Sequence, residues 1–155
     1  NIKTARVHAA QMGLDIDYRH ITAEELAEQG EVFDAILNME VIEHVADIPS
    51  FLGACCLLLS QDGCITLSTL NRTIKSWAMA IAGAEYILRW LPIGTHDWKK
   101  FIKPSELSTY AQKSGFDITV IKGMVFNPIK SLWSLNDQDF SVNYVALAVK
   151  SDDER

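Results

Sequence analysis

The fold class this sequence predicts is an open, doubly wound α/β sheet, and three observations carry it. Short apolar, β-prone runs alternate with helix-favouring segments, the connections between them are short, and Gly or Pro punctuates their ends. With 155 residues, 48% hydrophobic and 22% charged, the chain has material for one domain, residues 1–155, with a sizeable core. Its formal charge of −6 argues against a phosphate-tracking surface, since non-specific nucleic-acid binding is driven by Lys and Arg. No nucleic-acid partner is expected.

Each element follows in order. "NIKTARVHAAQMG" predicts a helix with apolar residues at Ile2, Ala5, Ala9 and Met12 and a glycine stop. No cap precedes it, so the chain is expected to be preceded by further residues in its parent protein. "DIDYRHI", residues 15–21, alternates as a strand would, and "TAEELAEQG" predicts a helix capped by Thr22 and ended at Gly30. "VFDAILNM" suits a buried parallel strand, and "DIPSFLGACCLLLSQDG" a helix with Pro49 near its start. "CITLSTL" is the next strand. Residues 74–93 are almost continuously apolar, with Trp77, Tyr86 and Trp90 among them and Lys75, Glu85 and Arg89 the charged residues. Pro104 and Ser105 then start a helix closed by Gly115, "DITVIKGMVF" is a strand, and "SVNYVALAVKS" a final one.

Cys55, Cys56 and Cys64 lie in apolar sequence with no C-x-x-C pair and read as reduced core thiols of a cytoplasmic-type compartment. No apolar run reaches the ~20 residues a spanning helix needs, which leaves association with a membrane surface open.

The chemistry concentrates in "NMEVIEHV", residues 38–45, at the carboxyl end of a strand, where open α/β sheets bind ligands. A helical turn after Met39 would put Glu40, Glu43 and His44, at i, i+3 and i+4, on one face. Oxygen ligands with one imidazole suit a hard divalent cation such as Mg²⁺ or Mn²⁺ better than a structural zinc. The zinc-hydrolase pattern H-x-x-E-H is broken because Glu40 stands where its first histidine would be. The plainer alternative is that Glu43 and His44 orient a loop while Glu40 is solvated, and spacing alone does not decide between them.

"NMEVIEHV", followed by "STLNRTIKSWAMAIAGAEYILRWLPIGTHDWKKFIKPSEL", closely resembles the ubiquinone-biosynthesis O-methyltransferase family, with the densest match over residues 36–107. The resemblance implies a Rossmann-like class I methyltransferase sheet, truncated at the N-terminus. It also implies an apolar helical insertion at about 71–103, after the family's fifth strand. The activity implied is S-adenosyl-L-methionine-dependent O-methylation of polyprenylated catechols, at both methylation steps of the pathway. Cofactor contacts fall on Met39 and, in the adenine loop, on Ala23 and Glu24; magnesium ligands fall on Glu40, Glu43 and His44. The family's glycine-rich cofactor loop and its ribose-binding acidic residue should lie before residue 1, since no G-x-G occurs in this chain. A 155-residue piece is therefore expected to bind cofactor poorly.

In such an enzyme, cation ligation by Glu40, Glu43 and His44 would lower the pKa of a catechol hydroxyl, ordinarily near ~10, and orient it for in-line attack. His96, in "GTHDWKK", is a candidate separate base or substrate contact, against the simpler reading of a surface histidine. His8 and His20 have no companions that single them out. The apolar segment 74–93 is either a buried helix or dimer interface, or an interfacial element with Trp77, Tyr86 and Trp90 at headgroup level and Lys75 and Arg89 facing anionic lipid. The family favours the second, together with contacts to other ubiquinone-pathway proteins. The implied location is the cytoplasmic side of a bacterial inner membrane, or the matrix side of the mitochondrial one. A competing reading makes the chain a non-catalytic module that docks on lipid or on pathway proteins.

Overall fold

The computed structural model describes residues 2–79, 81, 92, 94, 97–127 and 130–152. Helix α1 (Ile2–Gln11) forms where expected, although Ala9 is its one buried residue. Helix α2 (Ala23–Glu28) is set by a capping box: Thr22 accepts from the Glu25 amide, and the Glu25 carboxylate accepts from the Thr22 amide. Helix α3 (Ile48–Leu58) begins at Asp47, whose carboxylate accepts from the Ser50 amide, with Pro49 in the first turn. A helical turn, α4 (Ile74–Ser76), opens the apolar segment, and the rest of that segment is mostly outside the described residues, including Tyr86, Arg89 and Trp90. Helix α5 (Pro104–Lys113) starts with proline and ends before Gly115, which takes a left-handed φ of 83°.

Strands β1 (Phe33–Met39), β2 (Leu59–Leu70), β3 (Phe116–Asn127), β4 (Leu132–Asn136) and β5 (Asn143–Lys150) form one sheet in the order β1-β2-β5-β3-β4. β1 and β2 are parallel, and the other three pairings are antiparallel. The sheet is therefore mixed rather than wholly parallel, because β5 returns between β2 and β3.

Three expectations are corrected. Residues 15–21 form no strand: a strand exists only by pairing, and no described strand lies beside that segment, where the Arg6 guanidinium instead donates to the Tyr18 carbonyl. β1 is parallel as read but not buried: Phe33, Ala35 and Leu37 point to the face of the sheet opposite the helices, and Leu37 is 76% exposed. β2 begins five residues earlier than the apolar run suggests. The pairing shifts register between Phe33↔Leu59 and Ala35↔Cys64, so "LSQDG" is carried as an irregular lead-in. β4 has no counterpart in the sequence reading.

The core lies on one face of the sheet. Leu52 and Cys55 from α3, and Leu107 and Ala111 from α5, pack on Ile65, Leu67, Tyr144, Ala146 and Ala148 from β2 and β5. Side chains alternate across a strand, so Thr69 and Tyr144 share this helix-covered face while Ser68, Leu70 and Asn143 point to the other. The buried Tyr144 hydroxyl donates to the Ile102 carbonyl at 2.9 Å, which ties the segment before α5 to the sheet. Among the described residues no disulfide forms and no helix is long and apolar enough to cross a membrane.

Leu107 is wholly buried at the centre of this core. Leu107→Ala should lower the unfolding free energy by roughly 2–5 kcal/mol. Urea denaturation measures this, and a loss well under ~1 kcal/mol would show that α5 does not hold the sheet.

Candidate active site

At the carboxyl end of β1 the chain reverses through Glu40, a non-glycine residue with φ 53°. Its amide donates to both the carbonyl and the hydroxyl of Ser68, each at 3.1 Å, so the last residue pairs of the β1–β2 ladder hold the unusual conformation in place. A three-residue 3-10 turn, Ile42–His44, follows, with the His44 amide donating to the Val41 carbonyl at 2.8 Å. Glu40 and Val41 stand outside this turn, so no regular helical face joins residues 40, 43 and 44. Within the turn Ile42 and Glu43 are buried, and His44 is exposed.

Glu43 and Glu40 thus converge over adjacent residues at the end of β2. The Glu43 carboxylate accepts from the Thr69 hydroxyl at 2.8 Å, and the Glu40 carboxylate accepts from the Ser68 hydroxyl at 3.2 Å. Glu40 as a residue is exposed at the rim, but its carboxyl is turned in against Ser68 and Glu43. Burial, followed by the charge of Glu43, raises its pKa from the usual 4.5 to about 7, and the Ser68 hydrogen bond offsets part of that rise.

The donor set decides what could sit here. Two hard carboxylates facing each other suit a divalent cation, which would relieve their mutual repulsion. His44 does not join them as placed: among the described residues no group of three or more His, Cys, Asp or Glu side chains is close enough to hold a metal. His96 lies outside the described residues. The Cys55 thiol is pushed up to about 12 by burial, then by nearby Glu24, so it is no nucleophile.

Two hollows flank the carboxylate pair. A cleft of about 740 Å³ runs from Glu43 past Phe101 and Ile102 to Tyr110, with Arg72, Lys99, Lys100 and Lys113 on its walls. Arg72 is ion-paired with Glu106 there. On the other side a hollow of about 410 Å³ along β1 is lined by Ala23, Leu26, Asn38, Val41 and Phe51. Asn38 Oδ1 is buried with no hydrogen-bond partner among the described residues. An apolar hollow with one spare acceptor fits the flat face and exocyclic amine of an adenine. Ala23 lines this hollow, while Met39 is half-exposed at the strand end and Glu24 stands on the exposed side of α2.

Sequence reasoning missed Ser68, Thr69 and Asn38. Small hydroxyls in "TLSTLN" at a strand end were the available signal, but which face each takes depends on pairing with β5.

A methyltransferase-domain family model matches residues 5–120, three quarters of the chain. The chain belongs to the methyltransferase-domain family. This methyltransferase domain is 59% identical over 150 residues to a ubiquinone biosynthesis O-methyltransferase of Cereibacter sphaeroides, covering 97% of this chain and 61% of that protein. It is 55% identical over 150 residues to the protein of the same name from Dinoroseobacter shibae, covering 97% of this chain and 60% of the relative. The domain thus spans about 60% of the length of these relatives. Among solved structures, an S-adenosylmethionine-dependent methyltransferase from Clostridium acetobutylicum superposes with TM-score 0.65 at 10% identity, over 97% of this chain and 71% of that one. A Thermotoga maritima S-adenosylmethionine-dependent methyltransferase, described as a possible histamine N-methyltransferase, gives 0.64 at 18% identity, over 92% and 67%. These two likenesses establish the fold, a Rossmann-like methyltransferase sheet.

The raised Glu40 pKa carries a pH signature in the domain. In the unfolded chain Glu40 loses its proton near the ordinary 4.5, whereas in the folded chain it keeps it to about 7. The folded state binds the proton more tightly, so this group's contribution to stability is full below pH 4.5 and is lost as pH rises to about 7. Urea midpoints for wild type and Glu40→Gln between about pH 4.5 and 7 check this: the wild type should lose stability across the window and the variant should not.

Proposed function

We propose that this domain forms the metal- and substrate-handling part of an S-adenosyl-L-methionine-dependent O-methyltransferase acting on polyprenylated catechols of ubiquinone biosynthesis. The observation that carries the reading is the convergence of Glu40 and Glu43 at the carboxyl ends of two parallel strands. The 59% identity to the Cereibacter sphaeroides protein supports the substrate class.

Glu40 and Glu43 would hold the divalent cation, Mg²⁺ or Mn²⁺, and His44, exposed at the rim beside them, would be its third ligand. When bound, that cation supplies Lewis acidity that lowers the pKa of a catechol hydroxyl. Ser68 and Thr69 fix the two carboxylates through their hydroxyls and so set where the substrate oxygen is held. Ala23 and Glu24 from the first turn of α2, and Met39 at the end of β1, form the adenosyl side of the site, so substrate and methyl donor meet over the carboxyl ends of β1 and β2. His96 would serve as a base or substrate contact.

A substrate with a long isoprenoid tail resides in the bilayer, so the enzyme meets it at the membrane surface. Ile74 is 83% exposed and Trp77 47%, with Lys75 between them and the indole of Trp98 donating to the Thr73 carbonyl at 3.0 Å. This exposed apolar surface supports contact with membrane lipid through residues 74–93 on the inner face of the membrane.

Three results test the reading. Titration of S-adenosylhomocysteine should show binding to a chain extended to the relatives' full length and little to residues 1–155; absence of binding in both would overturn it. In the longer chain, Glu43→Gln should remove the Mg²⁺ dependence and cut methyl transfer by ~10²-fold or more. Trp77→Glu should reduce co-sedimentation with anionic liposomes, and unchanged sedimentation would rule out this membrane contact.

A further inference from the structure

Arg72 follows closely on Thr69, whose hydroxyl holds Glu43, and it lines the same cleft of about 740 Å³ as Glu43. The backbone on either side of it is fixed: the Leu70 carbonyl accepts from the Ile102 amide at 3.0 Å, and the Asn71 amide donates to the Val142 carbonyl at 2.8 Å. Its side chain is 27% exposed, whereas Lys99, Lys100 and Lys113 on the same walls are exposed residues of a 3-10 turn and of the last turn of α5. Arg72 is the cation of this cleft whose position the fold sets.

Glu106 aims it. One carboxylate oxygen of Glu106 accepts from Arg72 Nη2, and the other accepts from the Lys103 amide at 3.0 Å, the capping contact at the start of α5. Because that carboxylate also serves the helix N-terminus, it does not cancel the guanidinium charge in full. Among the described residues Nη2 is the committed part of the guanidinium, which leaves further N–H donors for the cleft. Glu106 is also within electrostatic reach of the carboxylate pair: burial raises the pKa of Tyr144, and the charges of Glu106, then Glu43 and Glu40, raise it further.

We propose that Arg72 is a substrate contact, its guanidinium donating to the ionised catechol oxygen on the Glu43 side of the site, with Glu106 as the positioning residue. A phenolate is the attacking species in O-methylation, and neighbouring carboxylates repel it. A planar guanidinium supplies charge-assisted donors that offset this repulsion, and it stays charged throughout the working pH range. Phe101 and Ile102, both buried, give the same cleft an apolar floor for the ring. This role rests on the methyltransferase reading above and deepens it by naming the group that selects the ionised form of the substrate.

Nitrocatechol, whose visible absorption reports its ionisation, is the probe, titrated with Mg²⁺ present into the chain and its variants, each checked for folding by circular dichroism. Bound to the wild type, the probe should ionise at a lower pH than it does free in solution. Arg72→Gln should raise that pH by about one unit or more and weaken binding roughly tenfold. Glu106→Gln keeps the guanidinium and should change both much less. Equal losses of affinity in the two variants with an unchanged ionisation pH would make Arg72 an anchor of α5 and overturn the contact. Failure of the wild type to bind, or wild-type binding by Arg72→Gln, would overturn it too. Should Arg72→Gln not fold, Arg72→Lys takes its place: the ammonium lacks the planar fork, so affinity should fall about threefold or more, and unchanged affinity overturns the contact. Methyl transfer to a catechol by a chain of the relatives' length reports on the methyltransferase reading separately. Its absence alongside an Arg72-dependent probe removes the enzyme reading alone, and its presence alongside a probe indifferent to Arg72 removes the contact alone.

Discussion

Ser68 and Thr69, consecutive residues at the end of β2, hold the site together because a strand sends neighbours to opposite faces. One hydroxyl meets Glu40 and the other meets Glu43, so two carboxylates from the segment after β1 are brought to one spot from two sides. That geometry requires β2 to be fixed on both edges. β1 supplies the parallel edge and β5 the antiparallel one, and Tyr144 of β5 ties the assembly to Ile102 ahead of α5. The core around Leu52, Leu107 and Ala146 matters to the chemistry because it holds β2 in that register.

Local signals in the sequence were reliable where a local interaction decides the structure. Thr22, Pro49 and Pro104 each mark a helix start through neighbours a few residues away, and those helices begin where the pattern put them, although α3 ends at Leu58 and not in the "LSQDG" turn. Pairing is a non-local property, and there the pattern was insufficient. Residues 15–21 alternate as a strand does yet have no described partner, while "LWSLN" becomes β4 because β3 offers it an edge. The exposure of β1 is likewise non-local: its residues are those of a buried strand, but Phe33, Ala35 and Leu37 point to the sheet face that no described helix covers.

The site was half legible for a related reason. Spacing of three and four residues points to a shared face only if the turn has α-helical geometry. The turn is a 3-10 turn of only Ile42–His44; Glu40 precedes it in a left-handed conformation and meets Glu43 through the Ser68 and Thr69 hydroxyls, while His44 is exposed. The hydroxyls that fix the carboxylates and the orphaned amides of Asn38 and Asn143 become visible only once the sheet assigns each side chain a face.

Glu40 occupies the left-handed region at a place where a side chain is unfavourable, and the ladder's last amide contacts compensate for it. Glycine, or asparagine, would adopt that backbone at lower cost, so selection for stability alone would drive this position away from glutamate. The carboxylate at the strand end is therefore a point where thermodynamic fitness of the fold and usefulness of the site oppose each other, and laboratory evolution toward thermostability would be expected to erode function here first.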